Sequence, residues 1–509
     1  MGNVKPLKIL YVCSELAPLV STGGLADVAA ALPRALSAQG HDVRIALPCY
    51  AALPPHLRGR PHCLCVADLG AKTAYGALHI ATVPGTGIPL YLIEHEGYFG
   101  RKNPYGYGAY EYEDNAERYC FFSLAVLHGV AQTHWRPDIV HCHDWHTAAI
   151  PAYIKTRLAM TEAWRGMPTL LTIHNLAYQG RYKARFLPYT GLGADLFRPD
   201  CLEYYGDINL MKAGIAFASR INTVSPRYAK EIQTPEFGEG LDGFLRTRAN
   251  SLSGILNGVD YTQWNPAIDP HIAAKYSVED LSGKAACKTA LQKMFDLPRR
   301  DVPIIGMVTR LHWQKGIDLV AQTIDEIMLN DLQVIILGTG DPYFADMLSE
   351  AAQRYPNRMR LILKYDNVLA HQIEAGSDFF LMPSHYEPCG LSQLYSLAYG
   401  AIPIVRHTGG LADSVHPLRK AKGERTKDKK RKQGAAPASS LVRHPSPTGI
   451  VFKPRTSEAI AESVRRAVEL YHDPEALHTV RLAGMNEDFS WDRSSEAYVK
   501  LYRQAIAKP

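Results

Sequence analysis

The chain has no long apolar run and no recognisable export signal. Its 509 residues contain no uninterrupted stretch of about 18 apolar residues, which a membrane-spanning helix would need. The N-terminal segment MGNVKPLKILYVCSE leads almost directly into an apolar strand and lacks the apolar core and small-residue cleavage site of a secretory signal. We therefore expect a cytoplasmic protein without a membrane partner.

Paired cysteines are also missing. The nine cysteines are odd in number, scattered, and without any CxxC spacing. A disulfide framework or a cysteine-based zinc site would need such pairs. The pattern therefore indicates buried, reduced thiols, as in proteins of the cytosol.

A basic surface is missing as well, although the formal net charge is +6. Residues 419–432 (RKAKGERTKDKKRK) hold nine Lys and Arg against two acidic residues, so this segment contributes +7 and the rest of the chain −1. A run of like charge is typical of a solvated surface loop. The charge distribution therefore does not favour a nucleic-acid-binding fold, and we expect no nucleic-acid partner.

Length and pattern indicate two α/β domains. A chain of 509 residues exceeds what one hydrophobic core usually holds. Short apolar runs alternate with stretches of helical periodicity in both halves of the chain. Residues 261–300 are richer in Pro, Asp and Lys, and we place the passage between the domains there. We expect an N-terminal domain over residues 1–260, a C-terminal domain over 261–490 and a terminal helix over 491–509.

The hexapeptide TGGLAD occurs at residues 22–27 and again at 408–413, each time after a predicted strand. A glycine turn that opens a helix suits an anion, because backbone N–H groups converge there. Neither copy has the GxGxxG spacing of a dinucleotide site, which argues against a nicotinamide-dependent oxidoreductase. The two copies predict two Rossmann-like domains that each offer a glycine turn to a common cleft.

Residues 379–415 predict a strand, a loop, a helix, a second strand and a second loop. Phe379–Met382 is the first buried strand, Glu387 lies in the polar turn after it, and Cys389-Gly390 opens the helical pattern. In open α/β sheets, ligands bind at the carboxyl ends of the strands. Glu387 therefore either caps the helix or faces a ligand.

Two cations, Arg310 and Lys315 in VTRLHWQKG, follow a predicted strand of the second half. Their position after the strand places them at a carboxyl edge. Two fixed cations there would bind a diphosphate and stabilise the charge that develops on a phosphate leaving group. The alternative is an ordinary solvated loop.

Histidines mark two strand ends in the first half. Residues 141–146 (HCHDWH) contain three histidines and Asp144, and His174 ends the next apolar strand. No further ligand spacing supports a metal site. The alternatives are histidines hydrogen-bonded at a strand end, or a polar strand end that faces a ligand. A lone histidine such as His174 is more often structural.

Tyrosines and acidic residues crowd residues 103–117 (NPYGYGAYEYEDNAE). Sugars stack on aromatic faces and hydrogen-bond to carboxylates and amides, so this segment predicts either a carbohydrate surface or a surface loop that leads into a helix.

The motifs occur together in the order found in bacterial glycogen synthases and plant starch synthases, and the chain resembles that family over nearly its whole length. The motifs that carry the resemblance are TGGLADV, HDWH, TIHNLAYQG, TVSPRYAKEI, GILNGVD, TRLHWQKG, EPCGLSQLYSLAYGAIPIVRHTGGLADSV and TGIVF. The resemblance implies an α/β protein of GT-B fold, in which two Rossmann-like domains face a deep cleft and the last helix crosses back onto the N-terminal domain.

The resemblance also implies an activity. It is the transfer of glucose from ADP-glucose to the non-reducing end of an α-1,4-glucan such as glycogen, with retention at the anomeric carbon. No DxD motif is present, and cationic side chains can replace a metal, so neither a metal nor a cofactor is expected.

Individual residues match positions with known roles in the family. Glu387 resembles the essential carboxylate near the donor glucose, His174 the histidine that faces the glucose, and Asp144 the acidic residue near the reacting centre. The other matches are expected to bind substrate: Arg310 and Lys315 as the diphosphate clamp; Gly23, Gly24, Thr408 and Gly409 in the assisting glycine turns; Cys389 and Gly390 beside Glu387; Asp27 and Asn257 as polar cleft residues; and Tyr365 as the aromatic that stacks on the adenine.

The chain departs from the family pattern at two places. The family usually has Lys two residues before the first glycine pair, where this chain has Ser21, so one cation that would meet the donor phosphates is absent. The basic residues 419–432 also look like an insertion between TGGLADSV and TGIVF. The first departure leaves two alternatives open: the same fold with UDP-glucose or a small maltooligosaccharide acceptor, and a weakly active glucan-binding homologue.

Overall fold

The computed structural model describes residues 5–107, 110–418 and 446–507. The chain forms two compact units: Met1–Gly258 with Phe489–Pro509, and Val259–Asp488. The basic insertion predicted at residues 419–432 lies outside the described residues. No disulfide joins any of the nine cysteines, all of which are described. None of the helices in the described ranges combines the length and hydropathy that a bilayer crossing needs.

The first unit is built on a nine-stranded sheet in the order β14-β13-β9-β8-β1-β2-β5-β4-β3. The strands of this unit are β1 (Lys8–Val12), β2 (Asp42–Pro48), β3 (Cys63–Asp68), β4 (Thr73–Thr82), β5 (Pro89–Glu94), β6 (Gly106–Tyr107), β7 (Tyr110–Glu111), β8 (Ile139–His143), β9 (Thr169–Ile173), β10 (Arg181–Lys183), β11 (Glu203–Tyr204), β12 (Asp207–Asn209), β13 (Arg220–Thr223) and β14 (Leu252–Gly254).

The sheet is parallel through its centre, and antiparallel pairing is confined to β3, β4 and β5 at one edge. The helices that follow in this unit are α1 (Gly24–Ala38), α2 (Glu96–Phe99), α3 (Asn115–Ala131), α4 (Ala149–Lys155), α5 (Leu210–Phe217), α6 (Pro226–Glu231) and α7 (Asp242–Thr247). The central strands are fully or almost fully buried, which is why they read as continuous apolar runs rather than as alternating ones.

The second unit contains a six-stranded parallel sheet in the order β17-β16-β15-β18-β19-β20. Its strands are β15 (Ile304–Val308), β16 (Gln333–Leu337), β17 (Met359–Ile362), β18 (Phe379–Met382), β19 (Ile402–Arg406) and β20 (Ile450–Phe452). Its helices are α8 (Ser282–Met294), α9 (Ile317–Ile327), α10 (Pro342–Arg354), α11 (Asn367–Gly376), α12 (Ser392–Ala398), α13 (Gly409–Ser414), α14 (Ser457–Tyr471) and α15 (Pro474–Met485). Each described unit is therefore Rossmann-like.

The predicted passage between the domains is too long. The chain changes unit at Gly258 and Val259, and α8 belongs to the second unit. The buried Lys284 of this helix donates from Nζ to the carbonyl oxygens of Ala375 and Tyr399, at 3.0 and 2.8 Å. The composition of residues 261–300 resembles that of a linker because α8 buries few side chains and is otherwise polar.

The final helix, α16 (Trp491–Ala507), packs on the first unit. Tyr502, which is fully buried, places its hydroxyl 2.8 Å from Nδ1 of His141, and Tyr498 accepts a 3.0 Å hydrogen bond from Nδ2 of Asn222. Near the start of the helix, a side chain at Gly258 would lie 2.8 Å from Trp491. The helix is thus tied to strands β8 and β13 by buried polar contacts.

The Tyr502 contact allows a test of how firmly α16 is held. Tyr502→Phe leaves the buried His141 nitrogen without its partner, and we expect the free energy of unfolding to fall by about 1–3 kcal/mol. Urea unfolding measures the change. Tyr343→Phe removes a hydroxyl from an exposed tyrosine and should cost less than about 0.5 kcal/mol. Equal losses in the two variants would contradict a stabilising role for the Tyr502 hydroxyl.

Candidate functional site

Glu387 lies in the loop that follows β18, and its side chain is buried, with 4% of the residue exposed. Its Oε2 accepts from Nζ of Lys315 at 2.6 Å and from Oγ of Ser384 at 3.0 Å. Burying a carboxylate is costly unless it is paired and hydrogen-bonded, and both conditions are met here. The structure therefore brings together two of the residues that the sequence singled out, from loops that follow neighbouring strands.

Hydrogen bonds from a buried arginine hold the backbone around Glu387 in place. Arg406, buried in β19, donates from Nε to the carbonyl of Ser384 at 2.7 Å and from Nη2 to the carbonyl of His385. His385 in turn donates its backbone N–H to Gln314, at 2.9 Å, in the loop that carries Lys315. These contacts fix the loop that carries Glu387 relative to the loop that carries Lys315. Both members of the ion pair are therefore held in place by the surrounding backbone.

The Glu387 loop also rests on the second glycine turn. Gly409 has φ +43°, and an added Cβ would lie 1.8 Å from the carbonyl oxygen of Glu387. A Cβ at Gly410 would lie 2.0 Å from the carbonyl oxygen of Cys389, and the Gly410 N–H donates to Glu387 O at 3.1 Å. Only glycine fits this approach. Cys389 and Thr408, both buried, are therefore close neighbours of Glu387 in sequence or in space.

Helix α12 begins three residues later than predicted. The sequence pattern predicted its start at Cys389-Gly390, but Gly390 has φ +72° and the helix begins at Ser392. Gln393 fills the space beside Gly390 and donates from Nε2 to the carbonyls of Cys389 and Gly390, both at 3.0 Å. The left-handed glycine turns the chain so that Glu387 and the glycine turn at 408–410 stay in contact.

Arg310 and Tyr365 complete the predicted set of the second unit, and both are exposed. Arg310 follows β15 and forms no ion pair with any residue that the structure describes. Tyr365 follows β17 and is 84% exposed. An uncompensated guanidinium after β15 and an exposed aromatic ring after β17, two strands that β16 separates in the sheet, have the chemistry needed to meet a phosphate and a base.

In the first unit, Glu15 occupies the first glycine turn. Its buried carboxylate accepts from the backbone N–H of Thr22 at 2.6 Å, from the Thr22 hydroxyl at 2.7 Å and from the Gly23 N–H at 3.3 Å. The Tyr105 hydroxyl adds a bond of 2.7 Å. Two backbone N–H groups of the turn predicted to bind an anion thus already donate to a carboxylate of the same chain. Ser21, Gly24 and Asp27 are exposed around it.

Asp144 lies directly after β8 in a left-handed backbone conformation, with φ 53°. Its Oδ1 accepts the backbone N–H of His174 at 2.7 Å, and its own N–H donates to Thr172 at 3.0 Å. Burial raises the pKa of the Asp144 carboxyl to about 7, and the N–H donors from His174 and Asn175 only partly offset the rise. A non-glycine residue held at positive φ with a perturbed pKa is a pattern typical of functional sites.

The histidines of the first unit form hydrogen bonds with one another and with hydroxyl groups. Nε2 of His174 lies 2.9 Å from Nδ1 of His143, and the two nitrogens of His141 contact Tyr502 and Thr172. Burial lowers the pKa of His174 to about 3, so the ring is neutral near pH 7. Among the described residues, no group of three or more His, Cys, Asp or Glu could hold a metal ion.

Asn257 lies just before the chain leaves the first unit. It is buried, and its Oδ1 has no hydrogen-bond partner among the described residues. Strands β6 and β7 pair antiparallel shortly before the start of α3, and Tyr107 and Tyr110 are exposed. A carbohydrate surface here stays a prediction.

Sequence reasoning missed Glu15 and Arg406, and it did not predict that His143 contacts His174. Each is a polar residue within or shortly after an apolar strand, which is the signal that could have indicated them. Their partners lie between 7 and 90 positions away along the chain, and no spacing rule predicts such contacts.

Comparisons with known proteins identify the family of this chain. Residues 8–247 match the family described as starch synthase catalytic domain, and residues 292–430 match the family described as glycosyl transferases group 1. A glycogen synthase from an Anaeromyxobacter species is 44% identical, over 98% of this chain and 100% of that protein. A glycogen synthase from Moorella thermoacetica is 42% identical, over 99% of this chain and 98% of that protein.

A solved structure gives the same result in three dimensions. The catalytic domain of starch synthase IV from Arabidopsis thaliana, bound to ADP and acarbose, is 32% identical and superposes with a TM-score of 0.86, over 99% of this chain and 100% of that one. The α/β units described above are those of the GT-B fold. The chain therefore belongs to the glycogen and starch synthase family of glycosyltransferases.

Proposed function

We propose that this protein transfers glucose from ADP-glucose to the non-reducing end of an α-1,4-glucan, with retention at the anomeric carbon. The observation that carries the proposal is the buried Glu387, 2.6 Å from Lys315 and in backbone contact with a glycine turn. The glycogen synthase relatives support the reaction, and the starch synthase solved with ADP and acarbose supports an adenine nucleotide and a glucan-like acceptor.

The second unit supplies the donor-phosphate chemistry. Arg310 and Lys315 bind the diphosphate and stabilise the negative charge that develops as the bond between glucose C1 and the phosphate oxygen breaks. The electron pair of that bond leaves with ADP. Tyr365 stacks on the adenine, and Thr408, Gly409, Cys389 and Gly390 shape the site around Glu387.

The glucose ring develops oxocarbenium character as ADP departs, and a nearby carboxylate stabilises it. Glu387 has that role in the proposal. The acceptor 4-hydroxyl attacks C1 on the face that ADP leaves, and its proton passes to the departing phosphate oxygen. Atoms and charge balance without an external base, and no covalent enzyme intermediate is needed.

In the first unit, we propose that His174 hydrogen-bonds to the glucose of the donor and that Asp144 holds His174 in place. His174 is neutral and rigidly held, so it offers a hydrogen bond without adding charge beside the oxocarbenium ion. Asp144 orients the His174 backbone through the 2.7 Å bond. Asp27, Asn257 and the turn at Gly23 and Gly24 supply polar contacts for substrate.

The proposal predicts that Glu387→Gln abolishes transfer. With ADP-glucose and glycogen, we expect ADP release to fall by at least about 10²–10³-fold, because the neutral amide cannot stabilise the oxocarbenium ion. The control is Glu350→Gln, which alters an exposed glutamate of α10 and should retain full activity.

Donor and acceptor are compared in the same assay. Wild-type protein should release nucleotide faster from ADP-glucose than from UDP-glucose at equal concentration, and faster with glycogen than with maltose. A folded wild-type protein that releases no nucleotide under any of these conditions would show that the proposed reaction is wrong.

The serine at position 21 predicts weak donor binding. Ser21 is exposed, and a lysine there would add a cation for the donor phosphates, worth about 1 kcal/mol. Ser21→Lys should therefore lower the KM for ADP-glucose by about five-fold. Steady-state kinetics measure it, and Ser21→Gln, equally polar but uncharged, should leave KM near the wild-type value. If both substitutions change KM alike, the missing charge is not what limits donor binding.

Asp144 predicts a pH dependence of stability. Its folded pKa, about 7, lies above the ordinary value of 3.8, so folding takes up a proton between these values. The stability of the wild type therefore decreases as pH rises from about 4 to about 7, by roughly 1 kcal/mol per pH unit from this group. In Asp144→Asn the contribution is gone. Urea unfolding from pH 5 to 8.5 should show the difference, wild type minus variant, falling up to pH 7 and constant above it.

The buried histidines are present in both proteins, so their own pH dependence cancels in that difference. Parallel stability profiles between pH 5 and 7 would mean that Asp144 does not take up a proton on folding.

A further inference from the structure

His143, at the end of β8, has no role in the reaction as proposed so far. Its ring packs against the rings of Tyr11 and His141, with centroid distances of 4.0 Å to each, and those two rings also contact each other at 5.2 Å. Its backbone is held by Thr147, whose Oγ1 accepts from the His143 N–H at 2.6 Å and donates to the His143 carbonyl at 2.9 Å. The residue is completely buried, so the ring is fixed in position and orientation.

The two nitrogens of this ring have different surroundings. Nδ1 lies 2.9 Å from Nε2 of His174. Nε2 is buried and has no hydrogen-bond partner among the residues that the structure describes. Burial lowers the pKa of both histidines, so each ring is neutral near pH 7 and carries one proton.

The unpartnered nitrogen decides where that proton is. A buried N–H without an acceptor is rarer and more costly than a lone pair without a donor. The proton of His143 therefore lies on Nδ1, which donates to Nε2 of His174. Because Nε2 of His174 is the acceptor, the single proton of neutral His174 lies on its own Nδ1.

We propose that His143 is a positioning residue that fixes His174 as the Nδ1-protonated tautomer, so that His174 presents an N–H donor to an oxygen of the sugar. The inference rests on the proposed function, in which His174 contacts the glucose. A donor that is already in the correct tautomer and orientation needs no rearrangement when substrate binds. Its loss should slow transfer without unfolding the protein.

Two substitutions at position 143 separate the hydrogen bond from the ring. His143→Phe keeps an aromatic ring packed against Tyr11 and His141 but has no donor, and we expect kcat/KM to fall by about 10- to 100-fold. His143→Asn loses the ring, but its side-chain amide places an N–H near the position of Nδ1. We expect it to retain at least about a third of the wild-type kcat/KM. Thermal unfolding and circular dichroism confirm that each variant is folded.

The same substitutions in a His174→Ala background distinguish positioning from structural damage. If His143 acts through His174, then His143→Phe should change kcat/KM by less than about two-fold when His174 is already absent. Nitrogen-15 NMR of histidine-labelled wild-type protein supplies a readout without a substitution at 143. The His174 signals, assigned by their loss in His174→Ala, should show the proton on Nδ1.

The inference is overturned if the effect of His143→Phe persists in the His174→Ala background, if His143→Asn loses as much activity as His143→Phe, or if NMR places the His174 proton on Nε2. Failure of the proposed function looks different. In that case wild-type protein shows no glucosyl transfer, or His174→Ala alone leaves kcat/KM unchanged.

Discussion

The ion pair between Lys315 and Glu387 is the contact on which the second unit is arranged. A buried pair of this kind seldom adds net stability, because desolvating two charges costs about as much as their attraction returns. Arg406, Ser384 and Gln314 nevertheless all serve to hold the two loops that carry it. Such bracing is better explained by a need for a carboxylate and an ammonium group at a fixed separation. The proposed transfer reaction sets such a need, whereas folding does not.

The same constraint explains the glycines around the pair. At Gly409 and Gly410 an added Cβ would lie within 2.0 Å of a backbone oxygen of residues 387–389, and at Gly316 within 2.3 Å of the Pro383 carbonyl oxygen. These loops approach each other backbone to backbone, so a side chain at any of the three positions would displace Glu387 or Lys315. The glycine-rich motifs are thus requirements of close packing as well as candidates for binding phosphate.

Much of the fold could be predicted because buried parallel strands are continuous apolar runs. The bounds of the strand Phe379–Met382 agree with the sequence pattern to the residue. Errors arose where local pattern and backbone geometry disagree. Helix α8 is polar enough to resemble a linker, and Gly390 delays α12 because its positive φ cannot belong to a helix. The position of Glu387 after a strand could be predicted from the sequence. Its contact with Lys315, 72 positions away, could be seen only in the folded structure.

The repeated TGGLAD hexapeptide shows most clearly what sequence alone does not determine. At residues 22–27 the turn gives two N–H groups to Glu15, and at 408–413 the glycines pack on the backbone of the Glu387 loop. The same six residues therefore make different contacts in the two units, and in both the turn is already engaged with its own chain. The positive charge that the proposed function needs for a diphosphate must therefore come mainly from side chains. With serine at position 21, the proposal assigns that charge to Arg310 and Lys315, and Lys315 shares its charge with Glu387.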